Sequence, residues 1–222
     1  MPTINVVLTI SAVGNPTGNI VAVRSKIMVS TTLTATGSTA GNGINLTASK
    51  LHVGGAITAT GNSGTNIVLQ SESTLNAESS VSASTSGAAR GIDATLSTIV
   101  AVGDISAINN PTGNIVAVRS TITGSGLLTV TGSTASNGIN LTSSKLHIAG
   151  AIVADSNNGT NILLQTESTL NAESSISAIA SALGSGLNLT LSTVNAVSIV
   201  ASTNQLVNII AAQSTIVATT TD

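Results

Sequence analysis

A tetrapeptide of the form x-Ser-[Thr/Lys]-[Leu/Ile/Val] recurs nine times along the 222 residues, as RSKI, ASKL, ESTL, LSTI, RSTI, SSKL, ESTL, LSTV and QSTI. Its serines are Ser25, Ser49, Ser73, Ser97, Ser120, Ser144, Ser168, Ser192 and Ser214, spaced by 24, 24, 24, 23, 24, 24, 24 and 22 residues. A fixed period of this kind marks a repeat architecture, in which each unit buries its apolar face only against its neighbours. A longer period contains the shorter one. NPTGNIVAVRS begins at Asn15 and again at Asn110, an offset of 95 that also carries His52 onto His147, Gln70 onto Gln165 and Ser73 onto Ser168. The chain reads as one domain over 1–222, with a duplication of approximately 15–109 and 110–204 and a final partial unit, 205–222.

Apolar residues keep the same clock. Five before each Ser lie Ile20, Ile44, Val68, Ile92, Ile115, Ile139, Leu163, Leu187 and Ile209. Two after it lie Ile27, Leu51, Leu75, Ile99, Ile122, Leu146, Leu170, Val194 and Ile216, and eight after it a further track runs from Leu33 to Val200. Around these positions apolar and polar residues alternate, which is the signature of a half-buried strand. NIVLQSESTL and NILLQTESTL carry one extra residue before the tetrapeptide, so Ile67 and Leu69 are expected to face inward like Ile44 and Leu46. A β-bulge there would leave Gln70 and Gln165 outside the core.

Three strands per turn, about 24 residues per turn and no helix-length pattern predict an all-β fold, a three-faced parallel β-helix (β-solenoid) of about nine coils. Coils in register lie ~4.8 Å apart, giving a rod of roughly 43 Å. Gly18, Asn42, Asn66, Gly113, Asn137 and Asn161 recur at one corner, where residues tolerant of positive φ are expected.

Composition suits a narrow core of this kind. The chain has no Phe, Tyr, Trp or Cys, is 6% charged, and is 41% hydrophobic through aliphatic residues. Without cysteine there is no disulfide framework and no thiolate metal site. A net charge of −2 implies no surface for nucleic acid. MPTINVVLTI lacks the basic start and long apolar run of a signal peptide, and no apolar stretch reaches membrane-helix length, so no membrane insertion is expected.

Neither end carries an evident cap, although a terminal coil exposes unpaired backbone groups. Ile4, Val6, Leu8 and Ile10 are read as an N-terminal assembly strand, and Ile209, Ala211, Ile216 and Ala218 as its C-terminal counterpart. Stacking one on the other repeats without closing, which builds a filament; a frayed monomer or a fragment is the plainer alternative. Val21/Val23 and Val116/Val118 are apolar at outward positions, where they would make lateral contacts between filaments or simply reflect β-propensity.

Catalytic chemistry has little to work with. His52 and His147 lie four coils apart, ~19 Å, and follow a core Leu, so both are expected on the surface. Glu72, Glu78, Glu167 and Glu173 form no evident acid–base pair, Lys26 and Lys50 stack as like charges, and the serines have no companion base. No cofactor or metal is expected, and no enzyme. Thr34/Thr36, Thr58/Thr60 and Thr129/Thr131 suggest a threonine ladder of the kind that binds ice. It is interrupted at Ser82/Ser84 and Ser106/Ile108.

Short coils with GNI, Leu-Thr-Ala-Thr-Gly and Asn-Gly-Ile-Asn-Leu segments resemble bacterial secreted β-helix proteins, of the filamentous-haemagglutinin and autotransporter-passenger type. The resemblance spans nearly the whole chain as repeat grammar and carries over no functional residue. It implies an extracellular or cell-surface, scaffolding or adhesive role. The expectation is a self-assembling fibre subunit whose partner is another copy of itself, with an adhesin stalk as the alternative and an ice-binding solenoid after that. Contact with a cell surface or a carbohydrate is left open by the residues.

Overall fold

In the computed structural model, residues 2–219 form a β-solenoid of about nine coils and contain no helix among the described residues. Among the described residues, twenty-eight short strands, nearly all of four residues, fall into three parallel sheets of ten, nine and nine strands. The chain passes through sheets 1, 2 and 3 in turn and then re-enters sheet 1. The first turn runs through Thr3–Val6 in sheet 1, Ile10–Val13 in sheet 2 and Gly18–Val23 in sheet 3. The last strands are Thr215–Ala218 in sheet 1, Ser198–Val200 in sheet 2 and Ile209–Ala212 in sheet 3. Ten strands at ~4.8 Å span roughly 43 Å along the axis.

The register is the one that sequence periodicity dictates. Ile27 lies beside Leu51, Leu51 beside Leu75, and Leu75 beside Ile99 in sheet 1. In sheet 2, Leu33 stacks on Ile57 and Ala35 on Ala59. Alternation at period two sends these side chains to a core that is fully buried from Leu33 to Leu189 and contains only Ala, Val, Ile and Leu. Most strands contribute one large and one smaller or equal aliphatic, with Gly124 an exception in Thr121–Gly124, so three inward faces close without aromatic rings.

Two corner expectations need correction. The extra residue of NIVLQSESTL does not bulge a strand: Ile67–Gln70 stays in register with Asn45, Leu46 and Thr47, and the corner absorbs the insertion. Where other coils place one residue at positive φ there (Arg24, Ala48, Leu96, Arg119, Ser143, Leu191 and Gln213), this coil places two, Ser71 and Glu72. Thr166 and Glu167 repeat the arrangement, and Gln70 and Gln165 remain exposed. Secondly, of the Gly and Asn positions proposed for positive φ, only Gly18 and Gly113 adopt it. Asn66 and Asn161 have another role, described below. Left-handed backbone instead falls directly after the sheet 2 strands, on Gly14, Gly37, Gly61 and Gly132 among others, and before sheet 1 on Arg24, Ala48 and Leu96, residues that rarely choose it, where backbone pairing from the coils above and below fixes the corner.

Candidate functional site

Two features stand out from the repeat: a buried polar ladder in the corner between sheets 2 and 3, and the open ends. Asn15, Asn19, Asn62, Asn66, Asn110, Asn114, Asn157, Asn161, Asn204 and Asn208 occupy that corner as pairs in alternate coils. Within a pair the first Nδ2 donates to the second Oδ1, at 2.8 Å for Asn62 to Asn66 and for Asn110 to Asn114. Between pairs the donor reaches over an intervening coil, from Asn19 Nδ2 to Asn62 Oδ1 at 2.8 Å and from Asn66 Nδ2 to Asn110 Oδ1 at 3.0 Å. The chain of amides continues without a break to Asn208, every bond pointing the same way.

Burial makes each partner obligatory. Asn62, Asn66, Asn110, Asn114, Asn157 and Asn161 are all 0% exposed. Each Nδ2 spends its second hydrogen on a main-chain carbonyl at the end of a sheet 2 strand, as in Asn62 to Ala35 O and Asn66 to Ser84 O. The Oδ1 of Asn62, Asn110, Asn157 and Asn204 also accepts the N–H of Ser38, Ser86, Ser133 and Ser181. Intervening coils make room with glycine. A Cβ at Gly43, Gly91, Gly138 or Gly186 would lie 2.5–2.6 Å from the Nδ2 of the asparagine in the following coil. The corner therefore alternates Asn-x3-Asn coils with Ser-x4-Gly coils, and its true period is two coils.

The recurring serines form a second polar line, at the corner leading into sheet 1. Ser49 and Ser144 are buried, and each hydroxyl donates to the carbonyl two residues before it at 2.8 Å. Each also accepts the N–H of the serine one coil earlier, Ser25 N to Ser49 Oγ at 3.0 Å and Ser120 N to Ser144 Oγ at 3.1 Å. These hydroxyls are corner staples with both functions in use. The widened corners at Glu72 and Glu167 divert Ser73 and Ser168 to the carbonyls of Gln70 and Gln165.

Charged groups are sparse and half-exposed. His52 Nδ1 lies 3.9 Å from Glu78 and His147 Nε2 lies 3.1 Å from Glu173, a pairing on sheet 1 that the sequence reading missed. His52 stacks on Met28 and Asn76, and His147 on Thr123 and Asn171, so neither histidine has a second ionisable neighbour along its ladder. Arg90 and Asp93 form an i,i+3 pair at 2.6 Å. Lys26 and Lys50 lie directly opposite one another, as expected. The described residues hold no group of three or more His, Cys, Asp or Glu side chains placed to bind a metal. A shallow depression of about 250 Å³ is lined by Glu72, Ser73, Leu96, Ser97, Arg119 and Thr121. Its serine hydroxyls are engaged, Ser97 donating to Thr95 O and Ser73 to Gln70 O.

The residues proposed for assembly fall at the two ends, but not as single strands. Ile4 and Val6 lie in sheet 1 and Ile10 in sheet 2, with Leu8 exposed on the corner between them. At the other end Ile209 and Ala211 lie in sheet 3, and Ile216 and Ala218 in sheet 1. Each end is thus a three-sided rim. Of nineteen exposed large apolar side chains among the described residues, eleven lie in residues 3–23 or 206–217, so apolar exposure concentrates at the rims. Val21 and Val23 are among them, whereas Val116 and Val118 are half-buried between Asp93/Thr95 and Asn140/Thr142. On sheet 2 the outward Thr34–Thr58 ladder runs into Ser82 and Ser106, and the Thr36–Thr60 ladder into Ser84 and Ile108.

The chain matches no protein-family model, no curated protein and no solved structure.

Proposed function

We propose that this chain is a structural rod that joins copies of itself end to end, as the subunit of an extracellular filament. The observation that carries this reading is the state of the two rims. Among the described residues, strands Thr3–Val6, Ile10–Val13 and Gly18–Val23 each have a partner on one side only, as do Thr215–Ala218, Ser198–Val200 and Ile209–Ala212. Unpaired parallel strands flanked by exposed Ile, Val and Leu are templates for a further coil. Because the first and last rims are opposite faces of one repeat, contact between copies is heterologous and does not close on itself. Assembly would be driven by backbone pairing and aliphatic burial, so it should respond little to salt. Location outside the cell follows the resemblance to secreted β-helix proteins and belongs to the same proposal.

Negative-stain electron microscopy of the purified chain in dilute near-neutral buffer tests it. Long unbranched filaments one solenoid wide are the expected result. Monodisperse rods of roughly 43 Å, unchanged on concentration, would overturn it.

A further inference from the structure

The two rims do not complete one another. Among the described residues sheet 1 holds ten strands and sheets 2 and 3 nine each, so the C-terminal rim is a step, with Thr215–Ala218 one coil above Ser198–Val200 and Ile209–Ala212. The N-terminal rim begins with Thr3–Val6 in sheet 1, and its turn rises through Ile10–Val13 to Gly18–Val23. A second copy meets the step in one of two registers. If its Thr3–Val6 takes the place of Thr215–Ala218, its next two strands land directly on Ser198–Val200 and Ile209–Ala212. Its Asn15 then stands on Asn208, in the track where Gly43, Gly91, Gly138 and Gly186 precede the internal Asn coils and leave no room for a Cβ. If Thr3–Val6 instead pairs with Thr215–Ala218, no strand is displaced, and sheets 2 and 3 are each left open by one strand.

Hydrogen bonding favours the second register. In each Asn pair the second amide points toward the next coil and the first toward the one before. Asn66 Nδ2 donates to Ser84 O and, over that coil, to Asn110 Oδ1, whereas Asn110 Nδ2 donates back to Ala83 O and its Oδ1 accepts Ser86 N–H. At the rims these functions are idle. Asn208 Nδ2 donates to none of the described residues, and Asn15 Oδ1 accepts from none. Each amide is half of a socket for a Ser-x4-Gly coil. The level left open in the second register is the one where the alternation puts such a coil.

We propose that the junction between copies carries a slot, one coil deep across sheets 2 and 3, that takes a strand–Ser-x4-Gly–strand segment of another chain. This rests on the end-to-end reading and names what the junction binds. Four internal segments give its form: LTATGSTAGNGINLT from Leu33, VSASTSGAARGIDAT from Val81, LTVTGSTASNGINLT from Leu128 and ISAIASALGSGLNLT from Ile176. Each has a large aliphatic first, Ala or Val third, then Ser, then Gly followed at once by Ile or Leu. Seated in the slot, the first strand lies between Ser198–Val200 and the second copy's Ile10–Val13. It covers Ile199 and Ile10, as Ile176 and Leu33 do within the rod. The second strand lies between Ile209–Ala212 and Gly18–Val23 and covers Ile209 and Ile20, as Leu187 and Ile44 do. The segment's Gly leaves room for Asn15, and its Ser N–H meets Asn15 Oδ1 as Ser181 N–H meets Asn204. Asn208 Nδ2 reaches the same oxygen over the segment, the bond that Asn161 makes to Asn204 at 3.1 Å. The amide ladder then crosses the junction unbroken.

A synthetic peptide with the sequence of Leu128–Thr142 tests the slot, with its Gly138→Ala form as the control. Fluorescence anisotropy of the labelled peptides reads uptake by the assembled chain. The axial repeat in electron micrographs reads the register, and does so without the peptide. Stoichiometric uptake is expected, with the Gly138→Ala form bound ~10-fold or more weakly. The expected repeat is ~48 Å, ten coil steps, against ~43 Å for the register that displaces Thr215–Ala218. Filaments that take up no peptide, bind both forms equally or repeat at ~43 Å overturn the slot and keep end-to-end assembly. Monodisperse rods that bind the peptide selectively overturn the end-to-end reading and keep the preference of the rims for a Ser-x4-Gly coil. Rods that bind neither form overturn both.

Discussion

Replacing Asn110 with Ala tests whether the amide ladder holds the rod together. Asn110 Nδ2 donates to Ala83 O at 3.0 Å and to Asn114 Oδ1 at 2.8 Å, while its Oδ1 accepts Ser86 N–H and Asn66 Nδ2, both at 3.0 Å. Truncation leaves two donors, the Ser86 N–H and one hydrogen of Asn66, buried without an acceptor. At ~1–3 kcal/mol for each orphaned group, and with lost bonds to the carbonyl and to Asn114, the cost is about 3–5 kcal/mol. Asn171→Ala is the matched control, since its Oδ1 accepts one bond, from Asn195 at 2.7 Å, on a half-exposed outer face. That change should cost under ~1 kcal/mol. Urea unfolding followed by far-UV circular dichroism reads the difference as a midpoint lowered by roughly 1–2 M for Asn110→Ala and hardly at all for Asn171→Ala. Asn208→Ala should resemble the control, because Asn208 is exposed and its amide contacts are confined to Asn204. Equal midpoints for Asn110→Ala and Asn171→Ala would refute the idea that the buried amides are obligatory partners. So would a loss at Asn208 as large as that at Asn110.

Other substitutions probe the room around the ladder and the serine staples. Gly138→Ala places a Cβ 2.5 Å from Asn157 Nδ2 and 2.7 Å from the Asn161 carbonyl, so thermal unfolding should show a loss of several kcal/mol. Gly14→Ala meets nothing within 4 Å and should lose only ~1 kcal/mol, from its φ of +70°. Ser144→Ala removes the bond to Thr142 O and leaves the Ser120 N–H without its acceptor. A loss of ~1–2 kcal/mol is expected, with faster amide hydrogen exchange at Ser120 than at Thr121.

Much of this architecture was legible because strand geometry converts sequence position directly into direction. Ile27, Leu51 and Leu75 share a track at 24-residue spacing, and a one-residue slip would turn the whole set outward, so the register had one solution. Corners obey no such rule. Asn66 looked like a residue chosen for positive φ, and it proved to be an interior hydrogen-bond partner whose side chain leans toward the next coil. Arg24, Ala48 and Leu96 carry the left-handed corner before sheet 1 with no compositional mark, because neighbouring coils impose it. The ladder did leave a trace, Asn-x3-Asn at intervals of 47, 48, 47 and 47 residues, alternating with Ser-x4-Gly. It was hidden because the apolar tracks repeat every coil, whereas this signal repeats every second one. The His147–Glu173 contact left no trace at all, since the side chains lie 26 residues apart on adjacent coils and the sequence shows only two isolated polar residues.

The alternation of Asn and Gly coils also makes the rod a one-dimensional crystal with a doubled cell. Identical coils would scatter along the fibre axis only at the strand spacing, ~4.8 Å. Two unlike coils taken in turn add a weaker meridional reflection at twice that spacing, ~9.6 Å, separable by direction from the ~10 Å equatorial reflection of stacked sheets. In the proposed filament its sharpness would report on every junction at once. A junction that set the coil of Asn15 and Asn19 on that of Asn204 and Asn208 would insert a half-period slip, and the line would broaden.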